Sequence, residues 1–157
     1  MKYDSDNLWS CGDKKLTTKQ VFESIKEYVN IEGIIYVGTD SMLKNDSCKF
    51  VSVIAIHSNK MKVANYFFKK ISLPPNKYKA LQNKIFEEVD CSLEIAKELS
   101  EFFPRAKIEV HVDVGKTNRS KTKIYVDTIR GWVTGLGFLF KIKPKSWASY
   151  IADWHSK

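Results

Sequence analysis

Apolar residues recur along the chain with two different periods, and the switches between them mark the elements. Thr17 to Gln20 fits a capping box, and Val21, Phe22, Ile25, Tyr28 and Val29 follow at helical spacing. This predicts a helix over about residues 18–30, broken by Gly33. The β-branched run Ile34-Ile35-Tyr36-Val37-Gly38-Thr39-Asp40 predicts a strand that ends on Asp40. Lys49–Ser58 and Met61–Ile71 predict two more strands, and the short Asn59-Lys60 link suits a hairpin. Pro74-Pro75 closes this section. A long helix is expected from about Tyr78 to Phe103, stopped by Pro104. Ile108–Val114 reads as a strand, 115–123 as a loop and Thr122–Trp132 as a helix. That helix ends among Gly131, Gly135 and Gly137, read as close packing and a helix cap. Phe138–Ile142 is a fifth strand, and Pro144 and Ser146 open a short terminal helix. Three successive strands followed by alternating helix and strand predict an α/β domain with a mixed five-stranded sheet flanked by helices. An extra helix precedes the sheet. Residues 1–16, polar with a lone Trp9, read as an arm, and 17–157 as a single domain.

Composition narrows the class. The chain has 157 residues, 43% of them hydrophobic, which is enough for one real core and argues against disorder. No apolar run approaches the ~20 residues that a membrane-spanning helix needs. The opening Met-Lys-Tyr-Asp-Ser-Asp-Asn does not read as a secretory signal. Cys11, Cys48 and Cys91 lie far apart, so reduced thiols in a cytoplasmic protein are expected rather than a zinc site or disulfides. The net charge of +8 attracts polyanions, with nucleic acid the commonest. A basic surface that serves only solubility is the alternative.

Against that basic background, certain acids stand out. Asp40 follows an apolar strand, at the kind of strand end where α/β sheets gather ligands; it could also serve as a turn cap. Glu88 shares a helical face with Leu81, Ile95 and Leu99, all within about 20° of it, while the other acids of that helix fall elsewhere. A buried carboxylate needs a partner, and a metal ion is one; Lys84, four residues back, is another. Asp113 alternates with Glu109 and His111 on the polar side of its strand. If that strand runs parallel beside the first, Asp113 and Asp40 meet at one sheet end; an ordinary solvated face is the alternative. Asp153 lies beside the small residues Ser146 and Ser149, whereas Trp147, Ile151 and Trp154 are read as the packing face. A solvated acid near a helix end explains Asp153 equally well. Hard oxygen ligands of this kind suit Mg²⁺ or Mn²⁺, and two such ions can drive phosphodiester hydrolysis. The basic loop with Lys116, Arg119, Lys121 and Lys123 follows Asp113 and could hold the sugar–phosphate chain. His111 and His155 could tune such a site, although a satisfied structural histidine is the commoner role. The aromatics Trp147, Tyr150 and Trp154 could stack bases or pack in the core.

Strand–Asp, two strands, helix–Glu, strand–Asp and a late helical Asp is an order of elements that resembles the RNase H-like superfamily. The similarity is closer to its YkuK-type family of predicted RNase H-like nucleases. It is carried by Tyr36-Val37-Gly38-Thr39-Asp40-Ser41, His111-Val112-Asp113-Val114-Gly115, Gly131-Trp132-Val133-Thr134-Gly135, and Lys143-Pro144-Lys145-Ser146 leading to Ala152-Asp153. These motifs span about residues 17–155. The resemblance implies an RNase H-like fold in which Asp40, Glu88, Asp113 and Asp153 take the four acidic positions. It also implies a two-metal-ion nuclease of RNA, DNA or RNA–DNA hybrid. The rival functions are a nucleic-acid-binding module without turnover and a scaffold for a protein partner.

Overall fold

The computed structural model describes residues 7–29, 34–57, 64–115 and 121–157. Lys116 and Arg119 of the basic loop, the Asn59-Lys60 link and Gly33 lie outside the described residues. Strands β1 (Trp9–Cys11) and β2 (Lys14–Leu16) form a hairpin ahead of helix α1 (Thr18–Val29). Three long strands follow, β3 (Ile34–Leu43), β4 (Cys48–His57) and β5 (Ala64–Leu73). A 3-10 turn at Asn76–Lys79 leads into helix α2 (Leu81–Phe102) and strand β6 (Lys107–His111). A second 3-10 turn at Lys123–Tyr125, helix α3 (Val126–Gly135), strand β7 (Leu139–Lys141) and helix α4 (Trp147–Ser156) complete the chain.

The capping box forms as expected. Gln20 N–H donates to Thr17 Oγ1 at 3.2 Å, and Thr17 N–H donates to Gln20 Oε1 at 2.8 Å. The sheet is mixed, in the order β2-β1-β5-β4-β3-β6-β7, with β3 parallel to β6 and β6 parallel to β7. It has seven strands rather than five. The extra two come from residues 9–16: the expected arm instead extends the sheet beyond β5, with Ser10 paired to Phe68. Trp9 is the anchor of that hairpin. Its ring is 2% exposed, and its Nε1–H donates to Thr18 Oγ1 at 3.1 Å.

The two sides of the sheet are covered unequally. Ile35 and Val37 of β3, Ile108 and Val110 of β6 and Val112 just after it face a large core filled from α1, α2 and α3. The opposite side carries a smaller cluster, in which Val51, Val53 and Ala55 of β4 meet Ile151 and Ala152 of α4. Helix α4 lies close because its inner residues are small: Ala148, Ser149, Ala152 and Ser156 are all buried. A Cβ on Gly38 would come within 2.7 Å of the Ser149 nitrogen. The expected packing face of α4 holds for Ile151 and Trp147, which pack in the smaller cluster, and is corrected for Trp154. Trp154 is 70% exposed, on the outer side of the helix. The close approach belongs to Gly38, whereas a Cβ on Gly131, Gly135 or Gly137 would meet nothing within 4 Å. Gly137 instead adopts φ +89°, the left-handed turn that ends α3.

Candidate active site

Asp40 is not the last residue of its strand. Pairing with β4 continues to Leu43↔Cys48, but pairing with β6 stops at Gly38↔His111. On the β6 side, Asp40 thus lies two residues beyond the last pair, and Asp113 does too. The parallel register brings both acids to one end of the sheet, on the side that α4 covers. Helix α4 adds Asp153, whose carboxyl lies close enough to that of Asp40 for each to act on the other's proton affinity. Ser156 Oγ–H donates to Asp40 Oδ2 at 3.0 Å.

Glu88 arrives from the other side. Adjacent strand residues point to opposite faces, so Ser41 faces α2 while Asp40 faces α4. Ser41 Oγ–H donates to Glu88 Oε1 at 2.5 Å, and Thr39 one pair back meets Ser92 Oγ at 2.7 Å. Of the α2 acids, Glu88 is the one that is fully buried, as the helical periodicity predicted. Leu81, expected on the same stripe, is 40% exposed because it is the first residue of the helix.

Crowding of like charge raises proton affinity. Burial, and then the charge of Asp40, push Glu88 from 4.5 up to about 8. Burial, and then the hydrogen bond with Asp153, push Asp40 from 3.8 up to about 6. Burial also acts on Asp153, but hydrogen bonds from Lys157 and from Asp40 outweigh it and hold its carboxyl low. Of the two, Asp40 is therefore the one that takes up a proton more readily. Two lysines supply positive charge: Lys143 Nζ lies 3.0 Å from Asp113 Oδ1, and Lys157 Nζ lies 3.0 Å from Asp153 Oδ2. Lys143 forms an ion pair with Asp113 Oδ1, a buried oxygen that has no other polar partner among the described residues.

The polar face of β6 is not solvated, contrary to one reading of its alternation. Helix α4 covers it, leaving Glu109 7% and His111 1% exposed. His111 Nδ1 accepts from the Ala148 backbone N–H at 3.0 Å, so the ring proton sits on Nε2, 3.3 Å from Glu109 Oε2. Burial lowers the His111 pKa and keeps the ring neutral. His111 is thus a structural clamp on the first turn of α4. His155 stacks on Phe68 at 3.8 Å and meets Tyr66 Oη at 3.0 Å, away from the acids. Lys121 and Lys123 are exposed at the far end of the basic loop. Sequence reasoning did not single out Ser156, Lys157, Lys143 or the role of Ser41. The spacing Asp153–Lys157 is an i,i+4 signal that could have found one of them.

Among the described residues, no three His, Cys, Asp or Glu side chains form a ready metal cage. The donor chemistry fits a hard divalent cation nonetheless. The acids present only carboxylate oxygens, two of them hold protons far more tightly than usual, and one buried oxygen has no polar partner but Lys143 among the described residues.

Comparison with known proteins agrees with this architecture. The chain is 25% identical to the uncharacterized protein YkuK of Bacillus subtilis (strain 168), over 94% of this chain and 94% of that one. No solved structure matches it. The family model for ribonuclease H-like proteins matches residues 17–157. With a mixed sheet, flanking helices and acids drawn to one sheet end, the chain belongs to the ribonuclease H-like family.

Proposed function

We propose that this protein is a divalent-metal-dependent nuclease that hydrolyses the phosphodiester bonds of nucleic acid. The observation that carries the reading is the Asp40–Asp153 carboxyl pair, two acids set close together inside a chain of net charge +8, with the proton affinity of Asp40 raised. Such a pair is unfavourable unless a cation offsets it. Asp40, Glu88, Asp113 and Asp153 would hold Mg²⁺ or Mn²⁺, with two ions as the expected number. Bound there, the ions would polarise the scissile phosphate and lower the pKa of water. The protein's own part is positional. The parallel β3–β6 register sets Asp40 beside Asp113, Ser41 orients the Glu88 carboxylate, and Ser156 orients that of Asp40. Lys143 and Lys157 would exchange their carboxylate partners for substrate phosphate once cations enter. Lys121 and Lys123, with Lys116 and Arg119, would extend the basic track beyond Asp113.

A second reading, a nucleic-acid-binding module without turnover, is favoured by one observation. Lys143 and Lys157 already neutralise two of the acids without any metal. Labelled RNA, DNA and RNA–DNA hybrid, incubated with Mg²⁺, Mn²⁺ or chelator, separate the two. The nuclease reading expects metal-dependent cleavage that Asp40→Asn abolishes. Salt-sensitive binding without cleavage supports the module instead.

A further inference from the structure

Two features beside the acids share only Lys143 with the site described so far. One is a cleft of about 250 Å³ where α3, β7 and the segment entering α4 meet. Arg130, Lys141, Lys143 and Lys145 line it, and no acidic residue does. Phe140 forms part of its wall, with the Arg130 guanidinium 5.8 Å from the ring centre. The other is the outer side of α4, where Tyr150 and Trp154 lie one turn apart, 37% and 70% exposed. Asp153 is adjacent to Trp154, and Lys157 lies one turn further on. Lys143 joins the two features, because it pairs with Asp113 and its charge acts on Tyr150, Asp40 and Asp153.

We propose that this face binds single-stranded nucleic acid, with phosphates in the basic cleft and unpaired bases stacked on Tyr150 and Trp154. The proposal names the substrate class of the nuclease reading and rests on it only for where the strand is cut. Four cations surround one small cleft. Arg130, Lys141 and Lys143 also meet Asp127, Glu109 and Asp113 outside its lining. A polyanion can compete with those carboxylates where a single charged group cannot. Two aromatic rings held in water by a helix whose inner face is already filled offer flat surfaces to a partner with flat faces. In a duplex those faces are occupied by neighbouring bases, and only edges and backbone remain to be touched. Stacking therefore selects bases that are out of a helix.

Fluorescence anisotropy of the full-length chain in EDTA tests this without cleavage. The probes are oligothymidylate of about 20 nucleotides and a DNA duplex and an RNA–DNA hybrid of the same length. The single strand is expected to bind at least about tenfold tighter than either duplex. Trp154→Ala is expected to weaken it by roughly tenfold and Trp154→Phe to preserve it. Lys145→Ala is expected to reduce the slope of log affinity against log salt by about 0.7. Unchanged circular dichroism and melting temperature would confirm that the variants fold, as their exposed side chains allow. Equal or tighter duplex binding, or full affinity in Trp154→Ala, would overturn the proposal. So would binding to vesicles of anionic phospholipid without binding to oligonucleotide. If the binding pattern holds but Mg²⁺ and Mn²⁺ produce no cleavage, the nuclease reading fails and this one stands.

Discussion

Glu88 is a residue whose charge state depends on its surroundings more than on its own chemistry. In the folded protein it holds its proton up to about pH 8, against 4.5 for an ordinary Glu. Between those values the folded state binds more protons than the unfolded one, so stability falls as pH rises. Asp40 acts in the same direction between 3.8 and about 6. Metal-free protein is therefore expected to lose melting temperature steadily from about pH 5 to pH 8. Glu88→Gln should flatten the upper part of that decline and add up to a few kcal/mol at pH 8. A melting temperature that is flat or rising over this range would show that Glu88 is not buried as a lone acid. Mg²⁺ or Mn²⁺ should raise the melting temperature at pH 8 in the parent and much less in Glu88→Gln, since a ligand of the folded state stabilises it. Glu88 was legible in the sequence because a helical wheel isolates it among apolar residues. Asp153 was legible only beside the small Ser146 and Ser149 and through the family resemblance, since no local pattern says that α4 turns its small side inward. Ser156 was hidden, because one hydroxyl near a helix end has no pattern to break.

At the scale of elements, α4 and the strand beneath it form a fitted pair. Gly38 leaves room for the Ala148–Ser149 backbone, and His111 Nδ1 holds the Ala148 N–H in place. Gly38→Ala would place a methyl 2.7 Å from a backbone nitrogen that no side-chain rotation can move. The expected result is a loss of about 1–3 kcal/mol in urea unfolding, together with faster amide exchange in α4. Exchange in α2 should not change, because α2 packs on the other side of the sheet. The long elements were legible for the usual physical reason: ten-residue strands and a 22-residue helix repeat their pattern often enough to be recognised. The β1–β2 hairpin was not, because its three-residue strands carry little apolar material apart from Trp9. What fixes those strands is the open edge of β5, a tertiary feature that no local window contains.

At the scale of the whole molecule, the heavy core and the acid site are separable. Trp9 packs in the main core, with Lys69 Nζ 5.3 Å from its ring centre, far along the sheet order from Asp113. Trp9→Ala is expected to cost about 3–5 kcal/mol in urea unfolding. Nucleic-acid affinity measured well below the new midpoint should stay within about twofold, because distant sites act independently. A loss of binding in the folded variant would mean that the hairpin edge takes part in recognition. The mixed sheet was legible from the order of elements alone, since three strands and then alternating helices leave few ways to close a core. The unequal cover of its two sides was not. The polar alternation of β6 looks like a solvated face until α4 folds over Glu109 and His111.

Asp40 and Ser41 stand next to each other and serve opposite sides of the sheet, and this has a consequence at the level of the gene. Loss of a single codon within 34–38 would slide the rest of β3 by one place and exchange the two side chains. The acid would then point at α2 and the hydroxyl at α4, breaking the contacts of Glu88, Asp153 and Ser156 together. The same loss within the exposed 44–47 turn would shorten a bend and leave both faces as they are. In-frame deletions should therefore be tolerated in the turn and purged from the strand, even where every remaining residue is a good strand former.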